Sequence, residues 1–326
     1  PTTTLATSSA ASVVYKRQDK NFVKNYKVGD TFSRKTKIIG VDSSSKGFEA
    51  SIDLNKEKVT SLNVIPDAAG PTYTMSEIMI AIQLTLENDE YQAALEKRGI
   101  TDLSLIQIDP WPGGGITHEK IKEGHRALKT ISFLKESPED NAYAKPISGL
   151  ISHVDLTDKC IVEIEDQGIS NLPEQSAKYD AASQEVLRNR PKDISITQPD
   201  GPGFDVSNNE ISWEGWNLRV SIDPIEGLVI QNLNLNKREI FYRASMSDMV
   251  VPYGSADPMH SWKAVHDGTE YGFGSLSNSL TLGCDCLGEI YYFDTNKLNF
   301  DGSVETIKNA ICLHCLLYTS PSPRDT

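Results

Sequence analysis

From about residue 194 to residue 314 the chain is written in short segments: ISITQP, FDVSNNEISW, WNLRVSIDP, LVIQNLNL, EIFYRASMS, DMVVPYG, EIYYFD and NAICLH. Successive side chains of a strand point to opposite faces, so segments of this kind carry an apolar face and a polar one. Asn, Asp, Gly and Pro between them supply the turns. Many short strands joined this way predict a large antiparallel β-sandwich.

The preceding half has a mixed pattern. TKIIGVD, GFEASIDL and KVTSLNVIP, between Thr36 and Pro66, alternate around the turn-forming SSSKG and NKE and predict a short antiparallel meander. Thr74 and Glu77 in TMSE have capping-box spacing, and Ile78, Ala81, Ile82 and Leu86 then mark one helical face. A second helix carries Tyr91, Ala94 and Leu95 to a stop at Gly99. SLIQIDP, the turn WPGGG, KTISFLK and the pair ISGLISHVDL and CIVEIEDQG complete a small α+β unit from about Pro71 to Gly168. The polar stretch 170–192 reads as a linker. The expected fold class is therefore α+β small domains followed by a large antiparallel β-sandwich, mainly β.

A net charge of −13 argues against nucleic acid or an anionic membrane surface as a partner, because neutralising phosphates needs clustered Lys and Arg. No apolar run approaches bilayer length, so no membrane span is expected. Both ends look foreign: VYKRQ near the start and CLLYTSPSPRD at the end resemble translated library-adapter sequence. Residues 1–18 and 315–326 are accordingly expected to be non-native, with native sequence from about Asp19 to His314.

Several motifs offer chemistry. Cys284, Cys286, Cys312 and Cys315 have thiolates enough for a tetrahedral zinc site, although a disulfide between Cys286 and Cys312 uses the same residues otherwise. WPGGGI lacks the spacing of a phosphate-binding loop, and THEKIKEGH has Lys122 where a metalloprotease motif needs its second His. In SWKAVHDGTEYGFG, Asp267 lies among aromatic and apolar residues. Desolvation there would raise its pKa and make it a usable base near neutral pH, while Asp-Gly is equally a hairpin-turn signal.

Taken in order, KRGITDLSLIQIDPWPGG, DNAYAKPISGLISHVDL, ISITQPDGPGFDV, SWEGWNLRVSIDPIEGLVIQNL, YRASMSDMVVPYG, EYGFGSLSNSLTLGCDCLGEIYYFD and NAICLH resemble the copper- and topaquinone-dependent primary-amine oxidases. The resemblance implies that residues 19–69 end one small amino-terminal α+β domain, 70–170 form a second, and 171–314 begin the catalytic β-sandwich. It maps the general base onto Asp267, within a motif like K-x-A-F-D-x-G-E-Y-G, where Val265, His266 and Thr269 replace the more usual Ala, Phe and Gly. It gives Tyr253 the role of positioning the quinone, and sets Trp111 and Tyr143 along the substrate channel. It also pairs Cys286 with Cys312 in a disulfide.

The activity so implied is oxidative deamination of a small primary amine by O2 to aldehyde, ammonia and hydrogen peroxide, in a homodimer. Copper and topaquinone are the cofactors of the intact family, and neither site is expected in this chain, which has no T-x-x-N-Y-[D/E] motif and no H-x-H pair. The chain is thus read as a truncated, inactive part of such an enzyme, prone to aggregate. A shortened non-catalytic β-sandwich used for binding and a zinc-stabilised module are the alternatives.

Overall fold

The computed structural model describes residues 24–25, 27, 29–42, 46–66, 70–113, 118–175, 178, 180–189, 192, 195–298 and 303–314. The two terminal strings and Cys315 lie outside the described residues.

Strands β1 (Lys35–Val41), β2 (Gly47–Asp53) and β3 (Lys58–Val64) form the predicted meander, in the order β1-β2-β3. Helix α1 (Met75–Leu86) starts at the capping box read from TMSE. Thr74 Oγ1 accepts the Glu77 N–H at 3.2 Å and the Glu77 carboxylate accepts the Thr74 N–H at 2.8 Å. Helix α2 (Asp89–Glu96) is capped by Asn88 and closes at Gly99, whose φ of 75° suits a residue without Cβ.

Both helices lie on one face of a four-stranded antiparallel sheet, β4 (Ile106–Trp111), β5 (Ala127–Leu134), β6 (Leu150–Asp155) and β7 (Cys160–Asp166), ordered β4-β5-β6-β7. Tyr91, Leu95, Ile106, Ile108 and Leu150 fill one part of that interface, and Ala81, Leu128 and Val154 another. Two pairs of buried hydroxyls satisfy each other there: Tyr91 Oη lies 2.6 Å from Ser132 Oγ, and Thr85 Oγ1 lies 3.1 Å from Thr130 Oγ1. The opposite face is covered too. Ile131 and Ile151, of opposite parity to Leu128 and Leu150, pack with Met259, Trp111, Phe133 and Trp262. Burial on both sides explains why every residue of β6 is inaccessible.

Farther along the chain, β8 (Asp205–Ser207), β9 (Glu210–Trp213), β10 (Trp216–Asp223), β11 (Gly227–Leu235) and β12 (Arg238–Ser245) make an antiparallel meander ordered β12-β11-β10-β9-β8. A second sheet pairs β13 (Tyr291–Leu298) with β14 (Val304–Leu313). Ile211 and Val220 from the first sheet meet Phe293 from the second, flanked by Ile311 and Leu313, which is the sheet-on-sheet packing expected. The fold class predicted from the sequence is borne out.

Two predicted strands are not formed. Residues 195–199 and the segment DMVVPYG carry no regular strand; the latter makes one isolated bridge, Val250 to His266. Pro252 lacks the N–H that a longer ladder would need.

Candidate active site

Residues 248–253 and 263–267 run antiparallel as two arms. The Tyr253 N–H donates to the Lys263 carbonyl at 3.0 Å, Val250 bridges His266, and the Asp267 N–H donates to the Met249 carbonyl at 2.8 Å. All three pairings share one register, so Tyr253, Lys263 and Asp267 occupy positions of the same parity. The Met249–Asp267 and Tyr253–Lys263 pairs are four residues apart, roughly 13 Å along an extended arm.

Asp267 opens a π-helical turn, Asp267–Tyr271, closed by the Gly272 N–H on the Asp267 carbonyl at 2.9 Å. This differs from the two-residue hairpin turn that Asp-Gly alone suggests. The turn is anchored to the α+β domain at two points: the Tyr73 N–H donates to the Glu270 carbonyl at 2.8 Å, and Tyr271 Oη donates to the Pro110 carbonyl at 3.2 Å. Burial pushes the Asp267 carboxyl above its ordinary pKa, the neighbouring Asp248 carboxylate adds to the rise, and His266 works against it.

At the other end of the two arms, Trp111 and Tyr253 meet edge to face with ring centres 6.1 Å apart, and Tyr253 stacks on His260 at 5.6 Å. Lys263 is 4% exposed, with Nζ 3.9 Å from the centre of the Trp111 ring and 5.4 Å from that of Tyr253. Desolvation lowers the Lys263 pKa, opposed by the charges of Asp109 and Asp257. Tyr143 is 60% exposed and packs edge-on against Phe133, which shares a cluster with Trp111. Its hydroxyl pKa is raised by burial and by Asp109. Four sequence-predicted residues therefore fall along one seam between the α+β domain and the loop region that follows β12. Trp111 touches Tyr253 directly, whereas Asp267 is linked to them through the two arms.

Sequence reasoning missed Asp248 and Lys263. Asp248 stands alone in SMSDM with no spacing signal, and Lys263 marked only the start of a motif.

Two family models match in succession: "Copper amine oxidase, N3 domain" over residues 76–184 and "Copper amine oxidase, enzyme domain" over residues 205–316. Together they span more than half of the sequence. The chain belongs to the copper amine oxidase family. Among its copper amine oxidase relatives, the "Primary amine oxidase" of Arthrobacter sp. (strain P1) is 36% identical over 293 residues, 88% of this chain and 45% of the relative. "Diamine oxidase [copper-containing] 1, peroxisomal" of Nicotiana tabacum is 34% identical over 91% of this chain and 38% of the relative. The crystal structure of a copper-containing benzylamine oxidase from Hansenula polymorpha superposes with a TM-score of 0.74 and 25% identity, covering 90% of this chain and 47% of that one. The chain spans less than half the length of these relatives.

Family membership implies copper and topaquinone. Among the described residues, His125, Asp155 and Asp158 form the one cluster of His, Cys and carboxylate groups close enough together for a metal. It holds a single His, and Lys122 Nζ sits 2.6 Å from Asp158, so it does not fit a three-histidine copper site. Cys286 and Cys312 are joined in a disulfide and Cys284 is a free, exposed thiol, which removes the four-thiolate zinc reading.

Proposed function

We propose that these residues form the amine-approach and proton-abstracting part of a primary-amine oxidase, which converts a small primary amine and O2 to aldehyde, ammonia and hydrogen peroxide. The observation that carries this reading is Asp267: a partly buried carboxyl with a raised pKa, on a turn pinned to both halves of the chain. Such a group holds its proton at higher pH than a solvated Asp and is the stronger base of the two.

In this reading Asp267 removes the proton from the carbon next to the substrate nitrogen, and the surrounding turn fixes the direction of that transfer. Tyr253, on the same register parity but farther along the arms, holds the reacting group in orientation through its hydroxyl. Trp111 and Tyr143 line the approach, where apolar ring surface excludes water from the amine. When bound, the quinone would supply the electron sink and copper would serve its reoxidation by O2. The cofactor tyrosine and copper ligands come from sequence other than the residues described, so the 326-residue chain alone does not turn over amines. The working enzyme is a homodimer.

The test is Asp267→Asn in the holoenzyme that carries these residues, followed by amine-dependent peroxide release and by copper content. Loss of turnover with copper retained is expected. Turnover at the wild-type rate would refute the assignment.

A further inference from the structure

The reading above uses Asp267 and leaves Asp248 without a task, although Asp248 has the denser set of contacts. Its Oδ1 accepts the Met249 N–H at 2.8 Å and the Gly268 N–H at 2.9 Å. Its Oδ2 accepts the Thr269 hydroxyl at 2.8 Å and lies 3.2 Å from His266 Nδ1. The donors thus come from both sides of Asp267, from residues 266, 268 and 269, while the Asp267 N–H is itself held by the next residue on the Asp248 arm. Gly268 is required for this closeness, because a Cβ there would stand 2.8 Å from Asp248 Oδ1.

A second pattern points the same way. His266 and Thr269 are two of the three positions at which this chain departs from the motif it resembles, and they are the two whose side chains engage Asp248. The departures therefore form one unit with Asp248 at its centre. We propose that Asp248 is a positioning residue for Asp267, clamping the base-bearing turn through Gly268, Thr269 and His266 so that the Asp267 carboxyl keeps a single orientation. This rests on Asp267 being the base.

The electrostatics agree with the geometry. Burial raises the Asp248 pKa, and the bonds from Thr269, Met249, Gly268 and His266 outweigh it, so the carboxyl stays below its usual range and remains charged. That fixed charge raises Asp267. The other charged or titratable groups around Asp267 are His266 before it, Glu270 and Tyr271 in its own turn, with Asp109 on β4 beyond Tyr271.

The experiment compares Asp248→Asn, Thr269→Val, His266→Leu and Asp267→Asn in the holoenzyme, reading the pH profile of kcat/KM and the separate values of kcat and KM. Asp248→Asn is expected to move the acidic limb to lower pH, since it removes the charge that holds the Asp267 proton. Thr269→Val, which keeps that charge and loosens the clamp, is expected to lower kcat about tenfold with KM nearly unchanged. His266→Leu is expected to move the limb to higher pH. If Asp248→Asn does not fold, Thr269→Val decides the matter: a lowered kcat at nearly unchanged KM supports the clamp and a wild-type kcat overturns it. An acidic limb and kcat identical to wild type in these variants, with Asp267→Asn inactive, overturns the clamp and leaves the base standing. An active Asp267→Asn overturns the base reading itself.

Discussion

Lys263 Nζ stands 3.9 Å from the centre of the Trp111 ring, which ties the loop region after β12 to strand β4 through a buried cation. Burial lowers the Lys263 pKa in the folded chain. The sign follows: the unfolded chain binds this proton more tightly, so the charged Lys263 penalises folding below its folded pKa. The penalty is relieved as pH rises from there toward 10.5. Lys263→Met is expected to be at least as stable as wild type at pH 7, with its advantage shrinking in alkali. Urea melts at pH 7 and pH 10 check this; a loss above about 1 kcal/mol at pH 7 would mean that the ring contacts outweigh desolvation.

For Asp267 the folded pKa is raised. Its stabilising contribution is present at low pH, below the unfolded value, and is lost as pH rises through the folded value. Asp267→Asn is therefore expected to keep or gain stability at pH 7 while losing turnover, a separation of fold from function common at active sites. Thermal melts of the two proteins at pH 4 and pH 7 measure it, the difference favouring Asn more at pH 7. A marked drop in stability at pH 7 would instead assign Asp267 a structural role.

The Glu77 carboxylate is held by Arg126 through Nε at 2.5 Å and Nη2 at 3.0 Å, and both side chains are buried. The same carboxylate completes the α1 capping box. Arg126→Met leaves an unpaired buried charge and is expected to cost about 3–5 kcal/mol, against about 1 kcal/mol for Thr74→Ala. Denaturant titration of both variants by circular dichroism separates these magnitudes.

The Cys286–Cys312 disulfide spans 26 residues and joins the loop before β13 to β14. Its replacement by two serines is expected to cost about 2–4 kcal/mol. Without reductant, iodoacetamide is expected to label Cys160 and Cys284, which are exposed, and to leave Cys286 and Cys312 unmodified. Peptide mass spectrometry gives the answer directly; labelling of Cys286 would contradict the pairing.

Much of the fold was legible in the sequence because its signals are local. Period-2 alternation marked the meander β1–β3, turn residues between short segments placed most of the later strands, and Thr74 with Glu77 marked a helix start to the residue, since a cap is made by neighbours three positions apart. The two failures differ in cause: residues 195–199 have no partner strand among the described residues, which alternation does not report, whereas 249–253 meets residues 263–267 but Pro252 lacks the N–H that a regular ladder needs.

The sequence by itself determined most of the elements, the family and, through the family resemblance, Asp267 as the carboxyl of interest. Only the tertiary structure decided its surroundings. Trp111 and Tyr253 are 142 positions apart in the chain and meet ring to ring, and Asp248 reaches across 20 positions to bind the turn beside Asp267. The first depends on which sheet face is left open once the helices have covered the other, and the second on the pairing of the two arms. That is a property of packing, which no spacing along the chain encodes.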